Sequence, residues 1–542
     1  MLTEAAALAG IALNTRCAGN GTCKGCEVTL GPGQYRIKGR TVTIQAGETQ
    51  TALACQTSVQ TEDATIYVPS SSLLEREGSI DDAFSLEHFN QRWQAPTPHS
   101  EIQLGTMGLA VDIGTTTVAV MLVDLTTGEV LAKASMYNQQ IRKADDVTSR
   151  ISYCHTAANM QELQRMVAQE TIDPLISLCC SEAKRSPTDL MRVVVSGNTV
   201  MTHLFFNLSP ASIGTLPFTP LTRTYPVVQA SDLGLMAAPS AMVEAVPSIA
   251  GYVGGDVVSD IYLTGLHESG VCSLMIDVGT NGEIVLRNNA CIVACATAAG
   301  PTFEGYGLTH GCRAATGAIE RIDFDETLDM QVRVIGNTKP TGLCGSAIID
   351  FIANGLRCGI INAMGRYDID RLKAAGRYLS DHTLCGNSQA CVIVPAEDTG
   401  IHEPLFVTEQ DIAQVLKAKA AIYAGLTTLL ETQDVKLCDV QRVYLAGGFG
   451  RHISLPNAVT LGLFPDIPLE RYEVIGNGSL AGAYLALLDP KVMPSLENII
   501  DRPEVIELNQ ISSFESHFID ALALPHCDET LFPNFQATKT HA

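Results

Sequence analysis

A single tryptophan, Trp93, serves 542 residues, and aromatics make up only 6% of the chain. Basic residues are also scarce: 35 Lys and Arg stand against 58 Asp and Glu, a formal charge of −23. Such a balance disfavours phosphate backbones and anionic headgroups, so neither nucleic acid nor a membrane surface is expected as a partner. A partner presenting a basic patch fits better. No apolar run reaches the ~18 residues that a membrane-spanning helix needs. Met1-Leu2-Thr3-Glu4 lacks the basic opening of a secretory leader, which predicts a cytoplasmic protein. Repeats of the solenoid type, with periods of ~20–50 residues, are missing. With 46% hydrophobic and 17% charged residues, the composition is that of a globular enzyme of about three or four domains.

Cysteine is plentiful, at 17 residues. Four fall in one pattern: Cys17, Cys23 and Cys26 on a glycine-rich loop, then Cys55. Three thiolates on a loop plus a fourth from a later segment is how ferredoxins hold a 2Fe–2S cluster. Glycine suits such a loop because the backbone must wrap the cluster and visit φ > 0. The other 13 are irregularly spaced, as in Cys179-Cys180 and Cys291-x3-Cys295, and several sit in apolar runs. They read as buried, reduced thiols of a reducing and anaerobic cell.

Three stretches follow from composition. Residues 1–72 form the cysteine-bearing unit, with an amphipathic helix at 3–13 and short strands at 27–30, 41–44 and 64–68. The turn Gly31-Pro32-Gly33 predicts a hairpin between the first two strands. Residues 73–104, polar and carrying Pro96 and Pro98, read as a linker. From 105 to 542 buried strands alternate with helices, the mark of an α/β architecture. Strands are expected at 109–113, 118–124, 192–196, 273–278, 284–287 and 442–446, and helices at 160–180, 254–266, 345–358, 409–431 and 479–487.

Within this last stretch, Asp112-Ile113-Gly114-Thr115-Thr116-Thr117 stands between two apolar strands. A tight Gly/Thr turn offers amides and hydroxyls to phosphate oxygens, and the aspartate suits hydrated Mg²⁺. The same word recurs about 165 residues later as Asp277-Val278-Gly279-Thr280-Asn281-Gly282-Glu283. Two copies imply two related halves closing on one nucleotide. Gly255 and Asp256 open a helix before the second copy, placing a carboxylate at a helix N-terminus. Gly447, Gly448 and Gly450 end a strand in a turn that a flat adenine or ribose could approach closely. Gly476-Asn477-Gly478 starts a helix of small residues suited to close packing across a hinge.

This order of motifs over residues 108–490 resembles the acetate and sugar kinase, heat-shock ATPase and actin superfamily. The resemblance implies phosphate contacts from Gly114, Thr115, Thr116, Thr117, Gly279, Thr280, Asn281 and Gly282. It implies an adenosine loop at Gly447, Gly448 and Gly450, Mg²⁺ held through Asp112 and Asp277, and Asp256 orienting or activating the attacking water or acceptor. The cysteine unit, linker and ATPase core together resemble the reductive activators of corrinoid proteins. Val195-Ser196-Gly197-Asn198, Leu216-Pro217-Phe218, Ala298 to Gly305 and Gly342-Leu343-Cys344-Gly345 carry that likeness.

The implied fold is multidomain α/β: a ferredoxin-like β-grasp domain whose first hairpin is missing, a linker, and a two-lobed actin-like ATPase. The implied activity is ATP-dependent reduction of Co(II) to Co(I). Its implied partners are a corrinoid methyltransferase or corrinoid iron–sulfur protein and an upstream low-potential donor, with a homodimer compatible. An ATP-driven donor to another low-potential enzyme, a redox-sensing small-molecule kinase and an actin-type scaffold are the competing readings. Lone histidines such as His203, His310 and His452 are more often structural than cobalt ligands.

Overall fold

The computed structural model describes residues 1–8, 13, 26–61, 64–68, 72, 106–144, 146–379 and 381–535. They divide into two units between Ala245 and Val246. Cys17, Cys23 and the expected linker 73–104 lie outside the described residues.

The first unit begins with a helix, Leu2–Leu8, followed by six short strands: β1 (Glu27–Leu30), β2 (Gly33–Ile37), β3 (Arg40–Ile44), β4 (Gln50–Leu53), β5 (Thr57–Val59) and β6 (Ile66–Tyr67). They form two three-stranded sheets, β4-β1-β6 and β3-β2-β5. Alternation places Val28 and Leu30 inside and Glu27 outside, and these join Tyr35, Ala54 and Cys55 in a small core. The hairpin predicted across Gly31-Pro32-Gly33 does not form. β1 pairs instead with β4 and β6, while β3 pairs with β2. The tight turn is Lys38-Gly39, with φ of 49° and 82°. Positive φ at both central positions matches the right-handed twist of hairpin strands, and this two-residue turn supplies it. Pro32 carries the chain out of one sheet and into the other, and the buried Tyr35 hydroxyl joins them, 3.0 Å from both Gly31 O and Thr65 O. The helix expected over 3–13 is described only to Leu8.

The same unit continues with β7 (Met107–Ile113), β8 (Thr117–Asp124), β9 (Val130–Tyr137), β10 (Leu190–Gly197), β11 (Val228–Gln229) and β12 (Met242–Ala245), in the sheet β11-β12-β10-β7-β8-β9. β7 is buried along nearly its whole length, and such double-sided burial explains its continuous apolar sequence. The single helix expected over 160–180 is interrupted. Helices Ala157–Val167 and Asp173–Ala183 are joined by a π turn, Ala168–Ile172. Pro174, in the first turn of the second helix, lacks the N–H that an unbroken α-helix would use, and the wider turn absorbs the mismatch.

The second unit repeats the plan. It has β13 (Ser273–Val278), β14 (Gly282–Arg287), β15 (Ile292–Thr297), β16 (Ala318–Asp323), β17 (Gln331–Val334), β18 (Gly342–Leu343), β19 (Ala390–Val394), β20 (Leu405–Thr408), β21 (Arg442–Ala446), β22 (Tyr472–Gly476) and β23 (Pro503–Val505). Its main sheet runs β22-β21-β13-β14-β15-β23. β7 pairs antiparallel with β8 and parallel with β10, which pairs parallel with β12; likewise β13 pairs antiparallel with β14 and parallel with β21, which pairs parallel with β22. The two sheets thus share one five-stranded core order, β12-β10-β7-β8-β9 and β22-β21-β13-β14-β15. A helix of 24 residues, Glu409–Thr432, packs on β14 and β15, opened by a capping box between Thr408 and Asp411.

Candidate functional site

Ligands of open parallel sheets collect at the carboxyl ends of the strands, where the strand order reverses. In the first unit that place is the end of β7. Asp112 is its next-to-last residue, and Gly114, Thr115 and Thr116 make the turn into β8, whose first residue is Thr117. Thr115 and Thr116 are buried and held from behind. The Asn138 side chain donates to Gly114 O at 3.0 Å, and its backbone N–H donates to Thr116 O at 2.8 Å. Arg150, wholly enclosed on the helix Val147–Tyr153, donates Nη2 to Thr115 O at 2.6 Å. Its other nitrogens reach Gln140 Oε1 at 3.0 Å and Ala144 O at 3.1 Å. Neither Asn138 nor Arg150 figured in the sequence reading. An arginine in a polar helical segment looks like surface, and only the fold shows it inside.

β10 ends beside this turn at Gly197, where an added Cβ would stand 2.5 Å from Ile113 O. The second unit has the counterpart. Gly447 follows β21 with φ of +82°, and a Cβ there would stand 2.5 Å from Asp277 Oδ1. Both positions hold a glycine because β10 passes β7, and β21 passes β13, within backbone distance. Gly448 and Gly450 do not form an open turn: they lie in a short helix, Gly448–His452, that starts directly after Gly447.

Asp277 occupies on β13 the place that Asp112 occupies on β7. Gly279, Thr280 and Asn281 form the turn, Gly282 begins β14, and Gly279 N donates to Asn281 O at 2.9 Å. Glu283 pairs with Asp277 across the two strands, so both carboxylates face the same way. Burial, and after it the charges of Asp256 and Asp277, pushes the Glu283 carboxyl well above the usual range. Asp256 completes the cluster from the first turn of the helix Gly255–Thr264, where it accepts from Val257 N at 2.8 Å. The second unit therefore gathers three carboxylates, Asp256, Asp277 and Glu283. The sequence reading assigned roles to the first two and passed over Glu283 as the end of a motif.

The helix Gly255–Thr264 packs on the helix Gly478–Leu488 through small residues. A Cβ at Gly478 would run into the Asp260 carboxylate, and one at Gly482 into Ser259. This bears out, within the second unit, the close packing expected of the small-residue helix.

In the cysteine unit, Cys26 and Cys55 are both buried, and the Cys55 backbone N–H points at Cys26 Sγ at 3.4 Å. Two of the four cysteines therefore stand side by side, with an amide aimed at one sulfur. Two thiols and an amide–sulfur hydrogen bond of the kind that tunes a thiolate-bound cluster thus fit half of the four-cysteine set. His203 is fully enclosed, its Nδ1 2.8 Å from Thr199 O, which makes it a structural histidine.

Three family profiles match the chain in succession: a 2Fe–2S iron-sulfur cluster binding domain over residues 1–60, the RACo middle region over 107–269, and the C-terminal domain of RACo, the ASKHA domain, over 271–536. A corrinoid activation enzyme, RamQ, of Eubacterium limosum is 31% identical over 553 residues, covering 90% of each chain. A Co(II) methylated amine-specific corrinoid protein reductase of Methanosarcina barkeri is 24% identical over 412 residues, covering 70% of each. The solved structure of a reductive activator for corrinoid, iron-sulfur protein superposes with a TM-score of 0.75 at 33% identity, covering 98% of this chain and 97% of the other. A 2Fe–2S domain joined to a doubled ATPase sheet, matched over 90% of the chain by RamQ and 98% by the solved activator, places the chain in the RACo family of corrinoid activators.

Proposed function

We propose that this protein reductively activates a corrinoid protein, returning its cobalt from Co(II) to Co(I) at the expense of ATP. The observation that carries the reading is the cluster of Asp256, Asp277 and Glu283 in a chain whose N-terminal unit also sets Cys26 beside Cys55. One half suits a nucleotide, the other an electron.

Cys17, Cys23, Cys26 and Cys55 are the cluster ligands of this reading. When bound, the cluster supplies one electron at a potential near about −400 mV. A gap of ~100–200 mV to the acceptor opposes transfer by roughly 2–5 kcal/mol, since each 59 mV is a factor of ten for one electron. ATP hydrolysis has to offset that gap through a conformational cycle, and nucleotide shifts a two-state protein only by its differential affinity for the two states. Asp112 and Asp277 are the residues that would hold Mg²⁺. Gly114, Thr115, Thr116 and Thr117, with Gly279, Thr280, Asn281 and Gly282, take the phosphates. Gly447, Gly448 and Gly450 flank the adenosine, and Asp256, next to Gly255, orients the attacking water. Glu283, paired with Asp277 across the strands, is the third carboxylate of the site. The partner is a corrinoid methyltransferase or corrinoid iron–sulfur protein, and a low-potential donor refills the cluster in the cytoplasm of an anaerobic cell.

The test is anaerobic. Reconstituted protein, a low-potential reductant, MgATP and a Co(II)-corrinoid protein are mixed, and the Co(I) absorbance is followed. ATP should raise the rate and extent for the wild type, and Asp256→Ala should abolish that gain while keeping the cluster absorbance. Undiminished activation by Asp256→Ala would break the coupling to ATP. A phosphorylated small molecule as product would favour the kinase reading.

A further inference from the structure

The segment after β15 reaches back to the phosphate turn of the second unit. Glu304, in Gly300-Pro301-Thr302-Phe303-Glu304-Gly305, accepts the Thr280 hydroxyl on Oε1 at 2.9 Å. Its other oxygen, Oε2, accepts Arg313 Nη2 at 3.0 Å. The guanidinium lies 5.7 Å from the centre of the Tyr306 ring. Arg313 and Glu304 are largely enclosed, with 11% and 21% of their side chains exposed, so this ion pair is not a solvated surface contact.

The arrangement has a chemical consequence. A threonine hydroxyl has one proton to donate, and Thr280 donates it to a carboxylate, not into the turn. A phosphate oxygen entering that turn competes with Glu304 for the same proton. It also competes for Arg313, whose planar donors suit a phosphate at least as well as a carboxylate. Meanwhile the Glu304 charge repels a terminal phosphate a few ångströms away. One carboxylate therefore withholds two groups that a phosphate would use.

The rest of the segment is anchored. Gly345, which opens the helix Gly345–Arg357, is so close to Phe303 O that no side chain fits between them. Thr309 donates its N–H and hydroxyl to Asp411 Oδ1, at 2.8 and 3.0 Å, in the first turn of the helix Glu409–Thr432. Its ends are thus tied to two long helices, and Glu304 is its tie to the phosphate turn.

We propose that Glu304 is a positioning residue that senses the terminal phosphate: when that phosphate is present it takes the Thr280 hydroxyl and the Arg313 guanidinium from Glu304. The proposal rests on the reading that this turn binds a nucleotide, and it adds the means by which the site distinguishes a triphosphate from a diphosphate.

The test is calorimetric titration of the full chain, without any corrinoid partner, with Mg²⁺ plus either ADP or the non-hydrolysable ATP analogue AMPPNP. Glu304→Gln keeps the shape and removes the charge. It should tighten AMPPNP about three- to tenfold and leave ADP within about twofold. Arg313→Gln should weaken AMPPNP by a similar factor, again sparing ADP. A general structural role would shift both nucleotides together, so equal shifts for the two ligands, or weaker AMPPNP binding by Glu304→Gln, overturn the proposal alone. Failure of the wild type to bind either nucleotide removes the nucleotide reading, and this proposal with it.

Discussion

Arg150 Nη2 donates to Thr115 O at 2.6 Å, so the turn Gly114-Thr115-Thr116 is held from inside the protein by a cation with no exposed surface. The guanidinium fork spans Thr115 O, Gln140 Oε1 and Ala144 O at once, and a lysine ammonium of one point charge does not. Arg150→Lys should fold, lose about 2–3 kcal/mol in denaturant unfolding, and raise the KM for ATP several-fold. Unchanged KM would mean that the turn keeps its shape without the arginine.

Gly447 combines a positive φ with close approach to the Asp277 carboxylate. Alanine there would put a methyl 2.5 Å from Asp277 Oδ1 while holding a φ of +82°. The backbone cost alone is about 1–3 kcal/mol, and relief requires moving both the aspartate and the strand end at Val278 O, 2.8 Å from the same methyl. Gly447→Ala should reduce ATP turnover at least tenfold and leave the iron–sulfur absorbance unchanged. Turnover near wild type would show that Asp277 tolerates displacement.

Cys26→Ser separates the two halves of the proposed machine. Serine fills the same buried space near the Cys55 amide but is a poor cluster ligand. The variant should lose or strongly shift its visible absorbance and fail to generate Co(I), with AMPPNP affinity within about twofold of the wild type. Full Co(I) formation would exclude Cys26 as a ligand.

A pH dependence follows from Lys419. Its ammonium position is wholly buried, 2.6 Å from both Ala523 O and Pro525 O, and burial lowers its pKa to about 7. The unfolded lysine holds its proton up to about pH 10.4. Between those values the unfolded chain binds the extra proton, so stability contributed by this group rises with pH from about 7 to 10 and is flat below 7. Lys419→Met lacks the titration. Urea midpoints measured at pH 7 and pH 9 should rise more for the wild type than for the variant, and parallel shifts would reject the assignment.

Much of the site was legible before the fold. The repeated word at Asp112 and Asp277 marks the ends of equivalent strands because an apolar strand, an acid and a glycine turn are all local signals. The match of Gly197 to Gly447 was not legible. Ser196-Gly197-Asn198 and Ala446-Gly447-Gly448 share one residue, and only strand pairing aligns Ser196 with Asp112 and Ala446 with Asp277. Glu283 was in plain view but mute, since nothing in the sequence says which face of β14 it takes. The misplaced hairpin has the same cause: Gly31-Pro32-Gly33 is a turn, yet the register that decides which strands meet lies in the nonlocal pairs β1–β4 and β2–β5.

The crossing of the helices Gly255–Thr264 and Gly478–Leu488 acts as a datum surface in the machinist's sense. Gly482 meets Ser259 one turn beyond Asp256, with no side chain of its own in the joint. A joint made through long side chains would carry the tolerance of every rotamer in it. This one sets a glycine backbone against the short side chain of Ser259, so the error in placing the Asp256 carboxylate is bounded by a hard stop about one turn away.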